Sequence, residues 1–142
     1  MLVADIMTEN PITANMDDTL RVVVDKMNSI NCHRLPVCNK EGALVGIITD
    51  GDTRQVLHSP FASNNVAQNE ALLDTVKVRQ FMTPAPYTVE PTMDISNAIH
   101  LMLEYRIGGL PVLKGETVIG IVTSTDVLAA FARYLKASEP QA

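Results

Sequence analysis

The chain has 142 residues, 46% hydrophobic and 19% charged. This suits one compact domain, or two small halves sharing a core, and excludes a disordered chain. A formal net charge of −5 argues against a phosphate-backbone footprint for nucleic acid, and no apolar run approaches the roughly 18 residues of a membrane span.

Met1–Asp5 has no basic segment ahead of an apolar one, so no secretion signal is expected. Met7-Thr8 and Pro11 open the chain in an extended segment, because proline disfavours helix just before it. A short strand is expected near Ile12–Ala14. Leu20, Val23, Val24 and Met27 then recur at helical spacing, with Asp17, Asp18 or Thr19 available as a cap and a stop near Asn31. Cys32 and Cys38 lie outside a CxxC spacing and read as reduced thiols of a cytoplasmic protein. Strands are expected over Leu35–Cys38 and Leu44–Thr49, joined by the tight turn Asn39–Gly42. The second strand is nearly all aliphatic and is expected to be buried on both faces. A helix follows over Asp50–His58. From Ser59 to Val78 runs a connector, loop-like at its start, with a short helix over Glu70–Val76.

The same order of elements then returns. Met82-Thr83 and Pro86 lead into a strand over Tyr87–Val89. A helix carries Ile95, Ala98, Ile99, Met102 and Leu103, with Asp94 near its cap and its end near Gly108. Strands over Leu110–Leu113 and Val118–Thr123 flank the turn Lys114–Glu116, and a helix runs from Ser124 to Lys136. Residues 137–142 form a polar tail expected to fray. The expected organisation is therefore a first repeat over 1–58, a connector over 59–78, a second repeat over 79–136 and the tail.

A shift of 75 positions makes the duplication explicit. Met7-Thr8 falls on Met82-Thr83, Pro11 on Pro86, Thr13 on Thr88, Met27 on Met102 and Leu35-Pro36-Val37 on Leu110-Pro111-Val112. One deletion in the hairpin brings Gly46, Thr49 and Asp52 onto Gly120, Thr123 and Asp126. An ordered set of matches with a single gap marks two homologous halves.

Each repeat ends its last strand in Thr-x-x-Asp, and two readings of this spacing stand side by side. It is a capping box, with the threonine hydroxyl accepting a first-turn N–H and the aspartate lying where the helix dipole favours negative charge. It is also a ligand turn. A strand end meeting a helix N-terminus suits a phosphate, a carboxylate one turn in suits paired sugar hydroxyls, and β-branched walls suit a flat base. Gly-x-Ser-x-Gly, His-Glu-x-x-His and Walker signatures are absent from the sequence, and no acid–base pair with matched environments can be assembled from it. Cys32, His33 and Cys38 do not form a metal set, because neighbours on a strand point to opposite faces.

The duplicated pattern of Met-Thr-x-x-Pro, Leu-Pro-Val and Gly-aliphatic-aliphatic-Thr-x-x-Asp, from about Val3 to Phe131, resembles a tandem pair of CBS domains. The long connector and the Ile107-Gly108-Gly109-Leu110-Pro111-Val112 string resemble the stand-alone, AcuB-like members of that family. The resemblance implies an α/β fold (α+β) of two β-α-β-β-α halves related by a pseudo-twofold and packed through their sheets. It implies a non-catalytic sensor with no required cofactor, whose candidate ligands are AMP, ADP, ATP or S-adenosylmethionine. Carried over residue by residue, one cleft would pair Thr49 and Asp52 with Thr88, Ile107 and Gly108. The other would pair Thr123 and Asp126 with Thr13, Cys32 and His33. Thr125 matches a hydroxyl position that touches phosphate in some relatives, with Gly51 in its place in the first repeat. His33-Arg34 resembles a basic pair that reaches phosphate; the plainer reading makes Arg34 a solvated strand-edge charge and His33 a partly buried filler. Arg54 is a further cation for a phosphate or a surface acid. The implied partners are a second copy, giving a four-repeat disc, and a separate effector protein, with no membrane and no nucleic acid. The alternative is a ligand-free interaction module that only dimerises.

Overall fold

The structure, a computed structural model, describes residues 1–57 and 66–140. His58, the loop expected at the start of the connector and the last two residues of the tail lie outside the described residues. In chain order the elements are α1 (Val3–Ile6), β1 (Thr8–Glu9), β2 (Ala14–Asn15), α2 (Leu20–Ile30), β3 (Arg34–Cys38), β4 (Leu44–Thr49), α3 (Asp50–Leu57), α4 (Val66–Thr75), β5 (Thr83–Pro84), α5 (Ile95–Tyr105), β6 (Gly109–Lys114), β7 (Thr117–Thr123) and α6 (Ser124–Ala137). A 3-10 turn, Val78–Gln80, precedes β5. The fold is mixed α/β, with one sheet ordered β1-β7-β6 and another ordered β2-β3-β4-β5.

The helices begin where polar caps stand. Thr19 accepts from the Val22 N–H to start α2, and Asp94 accepts from the Ser96 N–H to start α5. Each side chain satisfies a backbone donor that the first turn leaves open. The helices end in left-handed residues at equivalent positions, Asn31 (φ 50°) and Arg106 (φ 54°). In the second repeat the stop therefore falls before the expected Gly108. A non-glycine residue takes up the turn, and glycine content was no guide to it.

Two compact units result, and they differ from the two repeats in one respect. One unit comprises Ile12–Pro86; the other comprises Met1–Pro11 with Tyr87–Ala142. The Met-Thr opening of each repeat adds a strand to the other repeat's hairpin. Thus β1 pairs antiparallel with β7, Glu9 facing Gly120, and β5 pairs antiparallel with β4, Pro84 facing Gly46. The cores match this exchange. Ala14, Val23, Met27, Leu35, Val37, Ile48 and Val78 form one. Val3, Val89, Ala98, Met102, Leu110, Val112 and Val122 form the other. The members correspond position by position, with Val3 supplied by the start of the first repeat and Val78 by the end of the connector. Burying a side chain of this size fully stabilises the native state by about 1.5–3 kcal/mol.

The expected burial on both faces holds for the middle of β7 and not for β4. In β4 only Gly46 and Ile48 are buried, and in β7 Gly120, Ile121 and Val122 are buried while Thr117 is exposed. β4 lays one face on the core and leaves the other partly open, whereas adjacent Ile121 and Val122, which face opposite sides, are both covered in β7. The connector helix also starts earlier than expected, at Val66 rather than Glu70, and ends at Thr75. It packs on α2 and α3, tied by Arg21, which bonds Asp74 and Glu70.

Candidate functional site

Each unit carries one Thr-x-x-Asp turn, where its hairpin runs into a helix. At β4–α3 the Thr49 N–H donates to Asp52 Oδ2 at 2.9 Å and the Asp52 N–H donates to Thr49 Oγ1 at 3.2 Å. At β7–α6 the same two bonds measure 2.9 and 3.2 Å between Thr123 and Asp126, and the Thr123 hydroxyl also reaches Oδ2 at 3.1 Å. The capping box is therefore formed in both copies. It engages only one carboxylate oxygen. Among the described residues Asp52 Oδ1 makes no hydrogen bond, and Asp126 Oδ1 receives only the Thr8 hydroxyl at a long 3.4 Å. Both aspartates are half-buried.

The remaining candidates fall as follows. Thr13 stands half-buried before β2, its carbonyl accepting from Lys26 Nζ at 2.9 Å. Cys32 and His33 lie between α2 and β3, and Arg34 opens β3 directly opposite Thr49 in the strand register. Thr88 stands half-buried before Val89, which pairs in parallel with Val112. Ile107 and Gly108 join α5 to β6, and Thr125 is exposed in the first turn of α6. Thr13, Cys32, His33, Arg34, Thr49 and Asp52 thus belong to the unit Ile12–Pro86. Thr88, Ile107, Gly108, Thr123, Thr125 and Asp126 belong to the other. Each cleft expected from the resemblance draws on both sets.

Within each unit one backbone bond ties the segment before Leu-Pro-Val to the helix start. The Asp50 N–H donates to the His33 carbonyl at 2.8 Å, and the Ser124 N–H donates to the Gly108 carbonyl at 3.0 Å. The turn and the residues ahead of the central strand of the same unit are thus neighbours in both copies.

Asp50 is the residue that sequence reasoning missed. His33 is not a buried filler: its side chain is 68% exposed, and Nδ1 lies 3.0 Å from Asp50 Oδ2. Arg54 meets the same oxygen at 3.2 Å, so its acid is Asp50. Desolvation pushes the Asp50 carboxyl up, but the hydrogen bonds from His33 and Arg54 outweigh it and hold the group below its ordinary value. These residues, with Cys32 and Thr53, line a pocket of about 260 Å³. Burial pushes the Cys32 thiol up against weaker backbone hydrogen bonds that lower it, and burial raises Cys38 as well; both disfavour the thiolate needed for nucleophilic or ligating chemistry. The i,i+4 spacing of Asp50 and Arg54 was the available signal for this cluster.

The CBS domain family model matches the chain twice, over residues 3–59 and 78–133. Over 142 aligned residues the chain is 38% identical to a CBS domain-containing protein of Dictyostelium discoideum, spanning 99% of this chain and 98% of that one. Two other curated relatives, both of Methanocaldococcus jannaschii, are longer, and the chain spans 31% and 23% of them. Among solved structures it is similar to the CBS domain pair of protein MJ0100, determined in complex with 5′-methylthioadenosine and S-adenosyl-L-methionine. The TM-score is 0.81 at 27% identity, covering 94% of this chain and 98% of that one. A putative acetoin utilization protein, AcuB, from Vibrio cholerae shares the fold, with TM-score 0.78 and 23% identity over 99% of this chain and 98% of that one. Among the described residues no helix is long and apolar enough to cross a membrane.

Proposed function

The chain belongs to the CBS domain family as a tandem pair, and from that premise we propose that it is a non-catalytic regulatory module for an adenosyl ligand. AMP, ADP, ATP and S-adenosylmethionine are the candidates. One observation carries the reading: in both repeats the aspartate caps its helix with Oδ2 alone, and Oδ1 takes no part in the cap. Capping and ligand binding are then not rivals. A ribose presents two adjacent hydroxyls that such an oxygen accepts from, and the adjoining helix start offers N–H groups to a phosphate. Arg34 opposite Thr49 and Thr125 beside Asp126 add a cation to one turn and a hydroxyl to the other. The adenosyl ligands of the MJ0100 pair support the class.

Binding would bias one arrangement of the protein over another and so signal to an effector protein. The shift is limited to the ligand's differential affinity for the two states. Thermal unfolding with AMP, ADP, ATP, S-adenosylmethionine and 5′-methylthioadenosine tests this. A ligand at about one hundred times its dissociation constant stabilises the native state by about 2.7 kcal/mol. One adenosyl ligand is expected to raise Tm, and Asp52→Ala or Asp126→Ala to reduce the shift. No rise with any of them, in protein shown by mass analysis to carry no co-purified nucleotide, rejects the reading.

A second reading, an interaction module that dimerises without ligand, is favoured by the outer side of α5 and α6. There Leu103, Leu128, Phe131, Tyr134 and Leu135 are exposed. A second copy covering them is compatible with both readings; dimerisation that no adenosyl ligand alters would favour the second.

A further inference from the structure

The two units treat equivalent helix faces differently. In the unit Ile12–Pro86 the chain leaves α4 at Thr75, and the Val76 carbonyl accepts from the Leu20 N–H at 2.9 Å. In the other unit the Met1 carbonyl accepts from the Ile95 N–H at 3.0 Å. A shift of 75 positions carries Val76 onto Met1 and Leu20 onto Ile95, so this is the same joint made twice. The helix α4, which ends at that joint, lies against α2 and α3. The counterpart of its seat lies beside Met1, against α5 and α6. Among the described residues that counterpart is an apolar groove of about 390 Å³, bordered by Met1, Ile95, Val127 and Phe131.

Burial follows the difference. Leu20 corresponds to Ile95 and, past the one-residue gap, Thr53 and Leu57 correspond to Val127 and Phe131. Leu20 and Thr53 are buried, whereas Ile95 and Val127 are half-buried; Leu57 is half-buried, whereas Phe131 is exposed. In the unit that has α4, each residue is the more covered. The groove is a helix seat of the same plan, left open.

The chemistry around the open seat selects its occupant. On α2, Arg21 draws in the acids Glu70 and Asp74 of α4. Ser96 stands at the equivalent place on α5; it carries no charge, and its hydroxyl donates to Asp94 at 2.7 Å. The open seat therefore suits an apolar helix face rather than an acidic one. Such a face adjoins it. Along α6, Leu128, Phe131 and Leu135 recur at i, i+3 and i+7 and are 67%, 54% and 50% exposed. A surface that holds both a groove and a helix to fill it is self-complementary, as a twofold contact between identical chains requires.

We infer that α6 of a second copy fills the groove beside Met1, each chain doing so for the other, while α4 plugs the equivalent seat in the unit Ile12–Pro86. Two copies then pair through one unit and not through both. The pairing needs no ligand and does not depend on the adenosyl reading.

Sedimentation and amide exchange on the full chain, from dilute to concentrated protein without ligand, test this. Mass is expected to pass from monomer to dimer, with protection rising in α5 and α6 and unchanged in α2, α3 and α4. Leu128→Glu, a change on an exposed position, is expected to keep the wild-type circular dichroism and to pair about tenfold more weakly, as loss of an interface anchor does. A wild type that stays monomeric overturns the proposal. A dimer that Leu128→Glu leaves intact puts the contact elsewhere and overturns it as well. Protection that rises in α2 and α3 as much as in α5 and α6 overturns pairing through one unit.

Discussion

Oδ2 of Asp52 and of Asp126 is committed to a backbone N–H, and this decides what a substitution does at each turn. Thr49→Ala removes the acceptor for the Asp52 N–H and is expected to cost about 1 kcal/mol in urea unfolding, a usual loss for a cap. Asp126→Asn keeps an oxygen for the cap while removing the charge. It is expected to unfold near the wild-type midpoint but to bind adenosyl ligand more weakly; equal stability and equal affinity would detach Asp126 from the site. Asp50 contributes to the pH dependence together with Asp74 and Asp94, whose carboxyls are also held below the ordinary value by hydrogen bonds from Arg21 and Ser96. The folded Asp50 carboxyl titrates below the ordinary value of 3.8 because the bonds from His33 and Arg54 outweigh desolvation. A group lowered on folding stabilises the native state above its unfolded pKa, and that contribution fades as pH falls through the folded value. Asp50→Asn is therefore expected to flatten the loss of stability below about pH 4 in an acid titration followed by circular dichroism. A variant curve parallel to the wild type would reject this role.

Among the elements, the exchanged strands explain why each repeat needs both its Met-Thr opening and its glycine. A Cβ on Gly46 would lie 2.5 Å from Met82 Sδ and 2.9 Å from the Thr83 carbonyl oxygen; on Gly120 it would lie 2.7 Å from Met7 Sδ and 3.0 Å from the Thr8 carbonyl oxygen. A methionine can swing away, but the paired backbone cannot, so each Gly→Ala change is expected to cost about 1–3 kcal/mol, as overpacking does. Urea midpoints unchanged in both variants would show that β5 and β1 yield freely. The connector helix is held differently. Arg21 bonds Asp74 and Glu70 across α2 and α4, and Arg79 pairs with Asp17. Such pairs are exposed and contribute little to global stability. Arg21→Ala is accordingly expected to speed amide exchange in α4 while leaving the global unfolding midpoint nearly unchanged.

On the scale of the whole molecule, the core of the second repeat depends on a residue from the first. Val3 is fully buried in the core with Val89, Leu110 and Val122. Val3→Ala is therefore expected to lower hydrogen-exchange protection in β6 and β7 before β3 and β4; the reverse order would contradict the exchange of openings. The outer side of α5 and α6 makes a prediction about assembly. Met1, Ile6, Ile99 and Phe131 border an apolar groove of about 390 Å³, flanked by exposed Leu128 and Leu135. Apolar surface gathered in this way is a usual mark of an interface. Sedimentation is expected to give a dimer mass for the wild type and a monomer mass for Phe131→Glu. A monomeric wild type would remove the proposed disc.

The duplication, the hairpins, the helix starts at Thr19 and Asp94 and the Thr-x-x-Asp turns were legible in the residues themselves. Each depends on local spacing: period two or three-and-a-half for the faces, a side-chain acceptor at a helix start, a glycine in a tight turn. Tertiary structure alone decided that Met1–Pro11 joins the sheet of the second repeat, that α4 lies on α2 and α3, and that His33 joins Arg54 on Asp50. It also decided that Tyr87 stacks on Tyr105 at the end of α5. The physical reason is the same in each case. Apolar periodicity states which face must be covered but not which segment covers it, and a strand edge offers the same N–H and C=O groups to either repeat. Two repeats with interchangeable cores leave that choice to the geometry of the connections, which no single stretch of sequence contains.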